Sequence, residues 1–96
     1  MKESTLTSSI RKTLSNTFGG WWIKIHGGRF QITGIPDLIG LCKGRFFGIE
    51  VKLPGKEHTL TDRQRHTINV INENGGFATM SSSKEHSVQF VKDNLP

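Results

Sequence analysis

The sequence predicts an α/β fold: a mixed four-stranded sheet flanked by helices, in the order helix, strand, strand, strand, helix, strand, helix. Three observations carry this. Leu6, Ile10 and Leu14 recur every four residues, and Ile68 and Ile71 three apart, the spacing of one helix face. Between Leu38 and Val51, two apolar runs of strand length flank Lys43-Gly44, the two-residue loop of a tight hairpin. After the hairpin, a helix, a short strand and a last helix alternate, which gives a sheet between helices rather than a bundle.

The elements follow in order. Ser4 to Thr17 reads as a helix stopped by Gly19-Gly20, with Ser4 or Thr5 as its cap. Glu3 precedes Leu6 by three and Ile10 by seven, so it projects from the inward stripe. There it is either a first-turn charge favoured by the helix dipole or part of a site. Trp21 to His26 reads as a strand with Trp21, Ile23 and Ile25 on one face and Trp22, Lys24 and His26 on the other. Lys24 suits an edge strand guarded against aggregation. Gly27-Gly28-Arg29 begins a loop, and the stretch from Gly27 to Gly34 is expected to be mobile. It is no phosphate-binding P-loop, because no G-x-x-x-x-G-K-[ST] occurs in the chain.

Beyond the hairpin, Leu53-Pro54-Gly55-Lys56 breaks the strand, and Thr61-Asp62-Arg63-Gln64 has capping-box spacing for a helix that ends at Gly75. Gln64 shares a face with Ile68 and Ile71. It either turns toward the sheet or caps Thr61. Phe77 to Met80 is a short strand, and Ser82 with Glu85 caps a final helix to about Asn94.

The 96 residues make one domain, 1–96, with no room for a second core. No apolar run approaches the roughly 18 residues of a membrane span, and the N-terminus lacks a signal-peptide pattern. The single cysteine, Cys42, excludes an internal disulfide and suits a reducing cytoplasm. Four histidines without zinc spacing make a structural zinc site a poor fit. The net charge is +5, and between Lys24 and Arg65 eight basic residues face four acids. Such a balance suits a polyphosphate partner, for which Lys24, Arg29, Lys43, Lys56 and Arg63 are the candidate contacts.

Chemistry concentrates at the open end of the hairpin. With Lys43-Gly44 as the turn, Cys42 pairs with Arg45, Leu41 with Phe46, and so on to Asp37 opposite Glu50. Directly opposed like charges cost about 0.2–1 kcal/mol. A hard divalent cation reverses that sign, because Mg²⁺ takes one or two carboxylates plus water and phosphate oxygens. Strand alternation puts Lys52 on the Glu50 face, where an ammonium fits charge building on a phosphate. A surface hairpin with incidental charges accounts for one such acid but not for two in register with a lysine.

Pro36-Asp37, twelve intervening residues, then Glu50-Val51-Lys52 resembles the P-D…(D/E)-x-K signature of the restriction-endonuclease-like superfamily. With Gly34 before and Leu53-Pro54-Gly55-Lys56 after, the run is similar to the virus-type replication–repair nuclease (VRR-NUC) family, closest to its small stand-alone members. The resemblance implies a restriction-endonuclease-like core and a DNA endonuclease that uses Mg²⁺, with Mn²⁺ substituting. Its metal would be held by Asp37, Glu50 and the Val51 carbonyl, with Lys52 catalytic. It favours site roles for Gln64 and for Glu3, although related sequences often carry a further acid where this chain has Thr7. It also implies a branched substrate such as a four-way junction, and a homodimer whose two-fold symmetry supplies two cuts. Trp21, Trp22, Phe46 and Phe47 bear on the dimer, since adjacent aromatics fall on both strand faces. Either helices cover both faces, or one pair is left for an interface. A binding module without catalysis and a nucleic-acid packing protein remain the alternatives.

Overall fold

The computed structural model describes residues 1–26 and 34–96. The chain runs through α1 (Glu3–Phe18), β1 (Trp21–Lys24), β2 (Leu38–Cys42), β3 (Arg45–Val51), a 3-10 turn (Glu57–Thr59), α2 (Asp62–Glu73), β4 (Phe77–Ser81) and α3 (Lys84–Asp93). The strands form one sheet in the order β1-β2-β3-β4. β2 is antiparallel to both β1 and β3, while β4 lies parallel to β3 after the α2 crossover. The mixed α/β sheet expected from the sequence is present in the expected element order.

The hairpin turn sets the register. Lys43 and Gly44 both have positive φ, 50° and 79°, the backbone that a two-residue type I′ turn demands. Pairing then runs without a slip from Cys42↔Arg45 to Leu38↔Ile49. The next step along both strands brings Asp37 level with Glu50.

The two sheet faces are covered unequally. On one, Trp22, Leu38, Cys42, Phe47, Ile49 and Val51 are buried against Leu6, Ile10 and Leu14 of α1 and Val91 of α3. Phe47 is its centre, with ring centroids 5.7 Å from Trp22, 5.6 Å from Phe77 and 6.3 Å from Phe90. Gly40 lies between Trp22 and Phe47 in the ladder, and a Cβ there would stand 2.1 Å from Trp22 Cε3. Gly40→Ala is therefore expected to destabilise the fold by about 1–3 kcal/mol, the usual cost of overpacking. A urea midpoint equal to wild type would show that Trp22 moves aside freely.

On the other face α2 packs mainly on β3 and β4. Gly48 lets Pro36 and Ile71 approach, since a Cβ there would meet Pro36 Cγ at 3.1 Å and Ile71 Cδ1 at 3.3 Å. Trp21, Leu41 and Phe46 stay uncovered, 58%, 50% and 39% exposed. They stand side by side, because Trp21 pairs with Leu41 and Leu41 with Phe46. Of the four aromatics considered above, Trp22 and Phe47 enter the core, while Trp21 and Phe46 form an apolar stripe.

Three local expectations change. The first strand ends at Lys24 rather than His26, although Ile25 N–H still donates to Asp37 O at 2.7 Å. α1 starts at Glu3 with Lys2 as an N-cap lacking a side-chain bond, because the Ser4 hydroxyl is bonded elsewhere. α3 is capped by Ser83, whose Oγ accepts from His86 N–H at 3.0 Å, not by Ser82. Three consecutive serines offer the cap, and Ser81 and Ser87 fix the choice by sharing a buried 2.7 Å hydrogen bond. Among the described residues, no helix is long and apolar enough to cross a membrane.

Candidate active site

Asp37 and Glu50 interlock through two main-chain amides, Asp37's own and that of Val51. Asp37 N–H donates to Glu50 Oε2 at 3.2 Å, and Val51 N–H donates to Asp37 Oδ2 at 2.9 Å. The hairpin brings the two strands together, and buried Pro36 seats the start of β2 on Gly48. Glu50 is only 3% exposed. Its second oxygen, Oε1, accepts from Gln64 Nε2 at 2.7 Å.

Gln64 performs both tasks that its position allowed. Its Oε1 accepts from Thr61 N–H at 2.9 Å while its own N–H donates to Thr61 Oγ1 at 3.1 Å, completing the capping box. An amide has an acceptor end and a donor end. With the acceptor held by the cap, the donor end is aimed at Glu50. The start of α2 and the carboxylate pair are thereby joined through one side chain.

Burial comes first among the causes that raise the Glu50 pKa from 4.5 to about 8, followed by the Asp37 charge and a hydrogen bond between the two side chains. The Lys52 charge pulls the other way and is outweighed. A low-dielectric site penalises a second negative charge beside the first. Lys52 is itself buried, 7% exposed, and its N–H donates to Ser81 O at 3.1 Å, fixing the end of β3 against β4.

The other candidates are placed as follows. Glu3 and Asp37 line one cleft of about 340 Å³, with Lys24, Ile25 and His26 between them. The acid on α1 thus shares an opening with Asp37, while Glu50 is not part of its lining. Lys24 differs from the expected outward contact. Its Nζ donates to Ser4 O at 3.0 Å, Ser4 Oγ at 2.9 Å and Ser8 Oγ at 3.0 Å. An ammonium has three N–H groups, and all three are directed at α1. Arg63 and Lys56 are exposed, and the Arg63 stem rests on Gly34, where a Cβ would come within 2.8 Å of Arg63 Cγ. Lys43 sits at the closed end of the hairpin, roughly 20 Å from Asp37 at the rise of a strand. Apart from Gly34, the loop expected from Gly27, with its Arg29 contact, lies outside the described residues.

Sequence reasoning missed Ser4 and Ser8 as partners of Lys24. The available signal was their spacing of four, which stacks two hydroxyls on one helix face. It also left His26 unassigned, although it borders the cleft.

Among the described residues, no group of three or more His, Cys, Asp or Glu side chains is arranged to hold a metal ion. A hard ion does not need three. Mg²⁺ is satisfied by one or two carboxylates with water and phosphate oxygens completing its shell. Asp37 and Glu50 are oxygen donors held side by side, and that donor set fits such an ion once Glu50 gives up its proton.

No family model and no curated protein matches the sequence. A solved structure described as a VRR_NUC domain does match the fold, with a TM-score of 0.73 over 99% of this chain and 100% of that chain. The identity is 18%. The chain has the α/β fold of that domain, a mixed four-stranded sheet with three helices.

Proposed function

We propose that this chain is a divalent-metal-dependent endonuclease that hydrolyses DNA phosphodiester bonds, preferring branched substrates such as four-way junctions. The observation that carries the reading is the Asp37–Glu50 pair, fastened by Gln64 and neighboured by Lys52, on the fold of a VRR_NUC domain. Asp37, Glu50 and the Val51 carbonyl would hold Mg²⁺ or Mn²⁺, with Glu3 available across the cleft. The ion would supply Lewis acidity at the phosphate and make water more acidic. Lys52 offers an ammonium to the negative charge that develops as the bond breaks. Gln64 keeps Glu50 oriented. Lys56, Arg63 and Arg29 would meet the phosphate backbone; Lys43 would meet DNA only where a duplex runs the length of the hairpin.

A two-fold dimer would give a junction two symmetric cuts, and the Trp21–Leu41–Phe46 stripe is the surface favoured for it. Uncovered apolar neighbours of this size commonly mark an interface. The opposite edge of the sheet is unsuited to strand pairing. There the Asn72 side chain donates to Ala78 O at 3.1 Å and accepts from Ala78 N–H at 2.8 Å, occupying the outer edge of β4 at that residue.

The test is incubation with linear, flapped and four-way-junction DNA, in Mg²⁺, Mn²⁺ or EDTA, alongside sedimentation equilibrium. Cutting of the junction that stops in EDTA is expected. Tight DNA binding with no cutting under any metal would return the chain to a binding module. Leu41→Glu is expected to turn a micromolar dimer into a monomer. A wild-type monomer that still cuts both strands symmetrically would remove the dimer from the proposal.

A further inference from the structure

We infer that Lys24 is a positioning residue: its ammonium straps the first turn of α1 to the edge strand and so holds Glu3 at the cleft shared with Asp37. The strap itself stands on geometry. Its consequence for a metal ion rests on the function proposed above.

Among the described residues, the first turn of α1 has few other fastenings. Its N-cap, Lys2, makes no side-chain capping bond. The Thr7 hydroxyl donates back to Glu3 O at 2.9 Å, a bond within the helix that ties it to nothing outside. Burial begins at Leu6, so Glu3, Ser4 and Thr5 precede the part of the helix that packs. Helix ends of this kind fray. Across that turn, Lys24 supplies three hydrogen bonds of 2.9–3.0 Å to Ser4 and Ser8.

The other end of the strap is firm. Lys24 pairs with Leu38 in the sheet, and the next residue, Ile25, donates its N–H to Asp37 O at 2.7 Å. From the Glu3 turn to the Asp37 main chain the link therefore passes through Lys24, the last residue of β1, and Ile25, the residue after it. The sign of the charge argues for the same role. A cation at a helix N-terminus opposes the helix dipole, so placement here is unfavourable unless direct acceptors offset it. Three acceptors do so, and the carboxylates of Glu3 and Asp37 border the same cleft.

Lys24→Met, Glu3→Gln and the double variant separate this strap from a phosphate contact. Mn²⁺ binding is followed by the electron paramagnetic resonance of the free ion. Loss of a nearby positive charge alone would tighten binding of a cation. The strap gives the opposite sign, about fivefold weaker binding in Lys24→Met, the equivalent of one net hydrogen bond. In the Glu3→Gln background the same change is expected to add nothing, since the two residues act as one unit. The salt dependence of metal-free DNA binding is expected to stay unchanged, whereas loss of a phosphate contact would lower its log–log slope by about one. Unchanged or tighter Mn²⁺ binding, additive effects, or a slope lowered by one would each overturn the inference. If wild type binds no Mn²⁺, the metal reading fails separately. The strap is then judged by hydrogen exchange at the Leu6 and Ser8 amides, faster in Lys24→Met if it exists and unchanged if it does not.

Discussion

Glu50→Gln is expected to reduce DNA cleavage by at least about 10²–10³-fold, the range for removing one preorganised electrostatic group from a reaction centre. The same change is expected to raise the melting temperature of the metal-free protein. The two directions come from one cause. Glu50 is 3% exposed and faces Asp37, so burial and the neighbouring charge raise its pKa from 4.5 to about 8. Near neutral pH the unfolded chain carries Glu50 ionised, and folding must take up a proton to avoid burying a second charge. A glutamine has no such requirement, and its carbonyl can still accept from Gln64 Nε2 while its amide donates to Asp37. The substitution gives up little of the local bonding beyond the 3.2 Å bond from Asp37 N–H. Activity within tenfold of wild type would sink the assignment of Glu50. A lowered melting temperature with lost activity would mean that the variant misfolds. Lys52→Met then serves as the second test, because it removes the ammonium and leaves both carboxylates in place.

The part of this site that was legible in the sequence is the part that local rules determine. A two-residue loop with positive φ at both positions permits one hairpin register, so the approach of Asp37 to Glu50 followed from counting. Capping-box spacing gave the start of α2 and with it the direction of Gln64. What was not legible depends on which element lies over which. Alternation put Trp21 and Trp22 on opposite faces, but only the span of α2 decides that Trp21 stays exposed. Lys24 read as an outward charge on an edge strand because nothing in its own strand announces Ser4 and Ser8. Charge makes Lys43 a candidate phosphate contact, and as a turn residue it lies at the far end of the hairpin from the paired acids. The three serines before α3 satisfied the cap spacing at Ser82, and the buried Ser81–Ser87 bond selected Ser83 instead.

Metal affinity is expected to rise with pH up to about 8, and binding is expected to release close to one proton per ion near neutrality. The sign follows from linkage. A carboxyl whose folded pKa is raised from 4.5 to about 8 stabilises the metal-free fold fully below pH 4.5. Between those values the native state holds one proton more than the unfolded state, so stability falls as pH rises. Over that interval the loss is on the order of a few kcal/mol, and above pH 8 it is complete. A divalent ion competes with that same proton for the Asp37–Glu50 pair. Below pH 8 each unit of acidification therefore costs up to about tenfold in affinity; above it the dependence flattens. Calorimetry of Mn²⁺ binding in two buffers of different ionisation enthalpy counts the protons directly. Stability of the metal-free protein, followed by urea denaturation, should decline over the pH range in which metal affinity climbs. Glu50→Gln should flatten the stability curve across that interval. Proton release near zero at pH 7, or a stability curve whose slope survives Glu50→Gln, would assign the proton to another group and separate the metal from Glu50.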